Sequence, residues 1–119
     1  MSLLREAFIV KLKPGCLAEW RRRHEVIWPE LVEQERLCGV AQMTIFEADP
    51  LLYVYSEVLD ATSWDRLIQT DAHKRWVEYM ADLSASSLED STVSRTDLPE
   101  VFHRVYIPEA LAEQKAGTN

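Results

Sequence analysis

Apolar positions open the chain as an extended run: Phe8, Val10 and Leu12 fall on one face of a strand over Arg5–Leu12, with Ala7 and Ile9 on the other. Both faces of this strand are therefore apolar, and Pro14-Gly15 ends it in a turn. From Cys16 the period changes to three and four. Leu17, Trp20, His24, Ile27 and Leu31 share one side, while Glu19 and Arg21 to Arg23 take the remaining surface, which predicts an amphipathic helix. Pro29 would delete a backbone donor inside that helix, yet followed by Glu30 it suits the first turn of a second segment. A break is therefore expected near Trp28, and Gly39 closes the second segment after Leu37.

Two strands follow, Ala41–Phe46 and Leu51–Val58, joined by Glu47-Ala48-Asp49-Pro50, a connection short enough for an antiparallel hairpin. Tyr53, Tyr55 and Glu57 share one face of the second strand; Leu52, Val54, Ser56 and Val58 share the other. Asp60 or Thr62 can cap a helix over Ala61–Gln69, and Thr70 or Asp71 can cap the next, which carries Trp76, Met80 and Leu83 on one side. Ser84 to Thr96 is rich in Ser, Asp and Thr and reads as a loop, after which the alternation from Pro99 to Ile107 predicts a final strand. Residues 1–108 then make one domain, and 109–119 a polar tail.

Strand, helix, strand, strand, helices, strand is the order of an α+β, ferredoxin-like fold, a split βαβ antiparallel sheet with its helices on one face. The other face is left bare. Because several strands are apolar on both sides, that face is expected to be covered by a second copy of the chain, giving a homodimer.

Composition narrows the function. At 119 residues the chain builds one hydrophobic core. A net charge of −7 repels a phosphate backbone, and Arg21-Arg22-Arg23 is too small a basic cluster to reverse that, so nucleic acid is not an expected partner. No apolar run is long enough to cross a bilayer, and Arg5-Glu6 interrupts the N-terminus before a signal-peptide core can form. Cys16 and Cys38 have neither C-x-x-C nor metal-ligand spacing. A cytoplasmic protein with reduced cysteines, no metal and no membrane partner is expected. Phosphate loops and nucleophile elbows are absent from the sequence, which removes support for phosphoryl transfer and nucleotide binding.

The candidate chemistry concentrates in Trp20-Arg-Arg-Arg-His24-Glu-Val-Ile-Trp28-Pro-Glu-Leu31. Helical spacing points the imidazole of His24 to the apolar side, beside the indoles of Trp20 and Trp28. Such a histidine is either a packed core residue with one satisfied hydrogen bond or the working group of a sugar pocket, in which indole stacks on the apolar face of a pyranose. Arg22 and Arg23 either reach ligand hydroxyls or form a solvated helix face. Trp76, spaced with Met80 and Leu83, is either core or ligand platform. Asp71 reads as a helix cap, Glu57 as a strand-surface charge, and His73 and His103 as exposed side chains.

Two motifs carry a resemblance. Arg22-Arg23-His24-Glu-Val-Ile27-Trp28-Pro29-Glu30-Leu31 resembles the helix signature of the L-rhamnose mutarotases, and Thr70-Asp71-Ala-His-Lys-Arg75-Trp76-Val77-Glu78-Tyr79-Met80 resembles their second. The run Val93-Ser94-Arg95 through Glu100-Val101-Phe102-His103 is similar too, so the likeness covers roughly residues 5 to 105. It implies a dimeric α/β barrel that interconverts the α and β anomers of a free sugar without metal or organic cofactor. It further implies that His24 is the proton donor and that Trp20, Met43, Trp76 and Val77 line the sugar. Three of these depart from the family pattern, which has tyrosine at Trp20, tyrosine at Met43 and a second tryptophan at Val77. Losing two phenol hydroxyls changes the hydrogen bonds open to a sugar and hence which deoxy-hexose fits, L-rhamnose first and L-fucose next.

Ring opening of a hemiacetal needs a proton delivered to the ring oxygen and one withdrawn from the anomeric hydroxyl, and one histidine near neutral pKa can serve either direction. Tyr53, Tyr55, Glu57, Asp71 or a water are candidates for the second carrier. Two rivals belong to other classes: a non-catalytic sugar-binding or sensing module on the same dimer, and a cofactor-independent oxygenase of the same barrel architecture.

Overall fold

A computed structural model describes residues 3–85 and 95–105. The first strand, β1 (Leu4–Lys11), is followed by two helices, α1 (Leu17–Glu25) and α2 (Pro29–Cys38). The hairpin β2 (Val40–Ala48) and β3 (Leu51–Val58) comes next, then α3 (Ser63–Ile68), α4 (Asp71–Met80) with a 3-10 turn over Ala81–Leu83, and the short β4 (Arg95–Leu98). The sheet runs β2-β3-β1-β4, antiparallel throughout. This is the ferredoxin-like split βαβ sheet expected from the element order.

Register explains how the sheet is two-sided. Phe8 stands opposite Val54, and Met43 and Ile45 stand opposite Ser56 and Val54. The even positions of β3 (Leu52, Val54, Ser56, Val58) are all buried, as is Phe8, whereas Tyr53 is exposed and Tyr55 and Glu57 are half-buried. The buried side forms the core with Cys38, Val40, Trp64 and Leu67. A polar link buried in it is satisfied: Trp64 Nε1–H donates to Ser56 Oγ at 2.9 Å, and Ser56 Oγ donates to the Glu6 carbonyl at 3.3 Å.

The break at Trp28 is a true separation of helices. α1 stops at Glu25, Trp28 is extended (φ −65, ψ 127), and Pro29 opens α2 where its missing N–H costs nothing. Gly39 ends α2 in the left-handed region (φ 103), and a Cβ there would lie 2.7 Å from Ser63 Oγ, so both backbone and space demand glycine.

Three expectations are corrected. The final strand is Arg95–Leu98, paired to Val10–Ala7, and not Pro99–Ile107. Pro99 has no N–H to continue the ladder, and residues 99–105 run on exposed without strand pairing. β4 therefore occupies the end of what reads as a Ser/Asp/Thr loop; the loop positions 86–94, and 106–119 with the tail 109–119, lie outside the described residues. The cap of α4 is Thr70, whose Oγ1 accepts from the His73 N–H at 3.3 Å, while Asp71 pairs with Arg75 at 3.3 Å. His73 is half-buried and not exposed, and it has an interaction partner.

Candidate active site

α1 carries acid at its start (Glu19) and base in its last turn (Arg22, Arg23, His24), the arrangement the helix dipole favours. It buries no residue completely. Its inward side is aromatic. The imidazole of His24 lies against the indole of Trp20 one turn earlier, ring centroids 3.7 Å apart at 25°, and meets the buried Trp76 of α4 edge-on at 5.2 Å and 87°. The two indoles beside His24 are therefore Trp20 and Trp76. Trp28, expected in that place, is turned away by the break and packs instead on Trp76 (5.1 Å, 87°) and Tyr79 (5.4 Å).

His24 Nδ1 is 2.9 Å from the Trp20 carbonyl oxygen. A carbonyl only accepts, so Nδ1 carries the proton and Nε2 presents its lone pair. Burial pushes the pKa of His24 below its usual value, and the Trp20 carbonyl pushes it back less strongly. The result is a half-buried imidazole held toward its neutral form, with Nδ1 engaged by the backbone of its own helix.

The three arginines separate. Arg21 reaches Glu47 at the end of β2 at 3.4 Å, both side chains exposed. Arg22 pairs with Glu19 within its own helix, at 2.6 and 2.7 Å. Arg23 is 12% exposed and donates to Glu19 (2.8 Å), to the Tyr79 carbonyl (2.8 Å) and to both carboxylate oxygens of Asp82 (2.9 and 3.0 Å). The guanidiniums of Arg22 and Arg23 hold the Glu19 carboxyl at about 2. Arg22 is an exposed pair on the helix surface, as expected of a solvated face, whereas Arg23 is an anchor.

Met43 and Val77 stand on different elements, β2 and α4. Met43 is half-buried on the helix-covered side of β2, packed against the core, and Val77 is half-buried beside Trp76 on α4. Tyr53, Tyr55 and Glu57 project from the opposite side of the sheet, away from His24, and Asp71 is exposed and ion-paired. Sequence reasoning missed Tyr79, whose signal was its place three residues after Trp76 on one helix face, and Asp82. A cleft of about 380 Å³ lies between β1 and β4, lined by Arg5, Glu6, Phe8, Ala61, Asp97 and Glu100 among others; none of its lining residues belongs to α1 or α4.

The family model described as L-rhamnose mutarotase matches residues 5–104. The chain is 37% identical over 103 residues to the L-rhamnose mutarotases of Pectobacterium carotovorum and Opitutus terrae, covering 85% of this chain and 98% of each relative. Among solved structures it is similar to an L-rhamnose mutarotase from Formosa agariphila, with a TM-score of 0.74, 27% identity, and 86% and 99% of the two chains covered. A putative antibiotic biosynthesis monooxygenase from Nitrosomonas europaea shares the fold, with a TM-score of 0.59 at 13% identity over 88% of this chain and 92% of that one.

Proposed function

The chain belongs to the L-rhamnose mutarotase family, and we propose that His24 is the residue that moves protons in its reaction, the α/β anomer exchange of a free deoxy-hexose. The enzyme is an isomerase, and L-rhamnose is the substrate the family supports. The observation that carries the assignment is the single hydrogen bond from Nδ1 to the Trp20 carbonyl, which leaves Nε2 as the exchangeable position. A neutral imidazole takes the proton of the anomeric hydroxyl while a second carrier, a side chain or a water, protonates the ring oxygen as the ring C–O bond breaks; on closure at either face of the aldehyde the imidazolium returns its proton to the carbonyl oxygen and the second carrier takes back the one on the ring hydroxyl. General acid/base assistance of roughly a hundred to ten thousand fold is a sufficient contribution for such a step. Trp20 and Trp76 supply the aromatic walls, with Met43 and Val77 as the neighbouring apolar lining where the family pattern has tyrosine and tryptophan.

Saturation-transfer NMR on L-rhamnose and L-fucose tests this directly. His24→Ala is expected to abolish accelerated exchange while leaving the fold intact; undiminished exchange in that variant would remove His24 from the mechanism. Ligand-induced quenching of tryptophan fluorescence without any acceleration would instead support a binding module.

The same reading makes residues 1–108 one catalytic domain and the active species a homodimer. The sheet face away from the helices carries Ile9, Phe46, Tyr53, Tyr55 and Leu98, and Phe46 is 60% exposed in the single chain. The reading places the enzyme in the cytoplasm, in keeping with two free cysteines; among the described residues no helix is long and apolar enough to cross a membrane.

A further inference from the structure

The helix that carries His24 buries none of its residues completely, so apolar packing alone does not fix it against α4. Its polar attachment is concentrated in one side chain. Arg23 sits next to His24 in the chain, about 100° around the helix. Its guanidinium spans from Glu19 on α1 to the Tyr79 carbonyl on α4 and to both oxygens of Asp82 in the 3-10 turn, and lies 4.7 Å from the Tyr79 ring centroid. Trp76 and Tyr79, three residues apart, share a face of α4. The contacts of Arg23 with Tyr79 and of His24 with Trp76 are thus neighbouring contacts across one helix junction, and fixing the first fixes the second. Arg22 makes equally short bonds to Glu19, but its side chain is 59% exposed, and toward α4 it has only an interaction with the Tyr79 side chain that is weaker than its pair with Glu19. Arg23, with two carboxylates and a carbonyl around a side chain only 12% exposed, is the kind of charge-assisted, forked arrangement that holds one geometry.

We propose that Arg23 is a positioning residue of the mutarotase site: by bridging Glu19 to Asp82 and the Tyr79 carbonyl, it sets the distance and angle at which His24 faces Trp76. The role rests on the reading of His24 as the proton-transferring group. It also accounts for why a basic triplet on a helix surface divides into one exposed ion pair, one intrahelical pair and one anchor.

The test uses the full chain with Arg23→Met, Arg23→Lys, Asp82→Asn and, as a control, Arg36→Gln, whose exposed pair with Glu33 lies elsewhere on the surface of α2. Two readouts are taken: kcat and KM for L-rhamnose anomer exchange, and the ¹⁵N shifts of the His24 ring, which report its tautomer whether or not the sugar is turned over. Arg23→Met is expected to lower kcat by about tenfold or more with a smaller change in KM, the signature of a displaced catalytic group. It should also move the His24 nitrogens from the Nδ1–H pattern toward a mixture of tautomers. Arg23→Lys, able to keep one of the ion pairs, should recover part of both effects. Asp82→Asn should act in the same direction and keeps the test open where Arg23→Met fails to fold. Combining Arg23→Met with Asp82→Asn should lose little more than Arg23→Met alone. Arg36→Gln should change neither readout. The proposal is overturned if Arg23→Met or Asp82→Asn lowers thermal stability but leaves both kcat and the His24 nitrogen pattern as in the wild type. Loss of the tautomer pattern in a chain whose exchange does not depend on His24 would uphold the anchor while refuting the catalytic reading, so the two failures are separable.

Discussion

The Nδ1–H of His24 is directed back to the Trp20 carbonyl, 2.9 Å away, while the indole of Trp20 lies 3.7 Å from the imidazole. One residue thus fixes both the tautomer and one wall of the ring. Because burial holds the His24 pKa below the usual 6.5, the unfolded chain binds a proton at this residue before the folded one does. Its contribution to stability is fully present above the ordinary histidine range and is lost as pH falls from there toward the depressed folded value. Thermal unfolding followed between pH 8 and pH 5, a range chosen as roughly spanning histidine titration, should show a decline in wild type that is shallower in His24→Gln. Parallel profiles would show that the ring is not desolvated.

The pair Ser56 and Trp64 gives a second expectation. Ser56 is completely buried and its Oγ is the acceptor for the Trp64 indole N–H, itself 6% exposed. Ser56→Ala removes this acceptor from a buried donor, at a cost of about 1–3 kcal/mol. Urea denaturation with an unchanged m-value should register it. A loss within error of zero would mean that the indole finds another acceptor.

Glu35 falls four residues after Leu31 and three before Cys38, both buried, and so lies on the inward stripe of α2. Burial is what acts on its carboxyl, raising the pKa above 4.5. A carboxylate with a raised folded pKa destabilises the fold above that pKa, and the penalty vanishes below the unfolded value, where both states are protonated. Glu35→Gln should therefore raise Tm at pH 7, with the gain disappearing as pH falls through the carboxylate range. A gain that persists at pH 3, roughly a unit below an ordinary glutamate, would assign it to helix propensity.

How much of this was legible in the chain depended on how local the cause was. The apolar alternation of β1 and β3, the helix break at Trp28-Pro29 and the glycine stop at Gly39 each arise from a few adjacent residues, and each is found where the sequence places it. β4 was not legible, because an edge strand with every described side chain exposed needs only one row of backbone bonds and carries no apolar stripe to announce it. At the site, the stacking of Trp20 on His24 followed from one helical turn. The neighbour on the other side did not: helical spacing favours Trp28, but the chain leaves the helix after Glu25, and Trp76 takes the place through packing of α4. Arg23 read as surface because its partner Asp82 lies 59 residues away.

The uncovered face of the sheet supplies the last prediction. Tyr53, on the central strand β3, is opposite Ile9 and Phe46 in the two neighbouring strands, so these three form an apolar row across the face that lacks helices. A homodimer that buries this row in a two-fold interface meets any substitution at Tyr53 twice, once from each copy. A glutamate there would be desolvated against apolar neighbours and, near the axis, against its own equivalent, which costs several kcal/mol in an interface of ordinary affinity. Tyr53→Glu is therefore expected to sediment as a monomer at concentrations where the wild type sediments as a dimer. His24, Trp20 and Trp76 all lie on the helix-covered side of the same chain. Anomer exchange per chain should consequently survive dissociation to the extent that the monomer stays folded, as read by circular dichroism. A wild-type chain that sediments as a monomer, or a Tyr53→Glu variant that remains dimeric, would place the interface elsewhere.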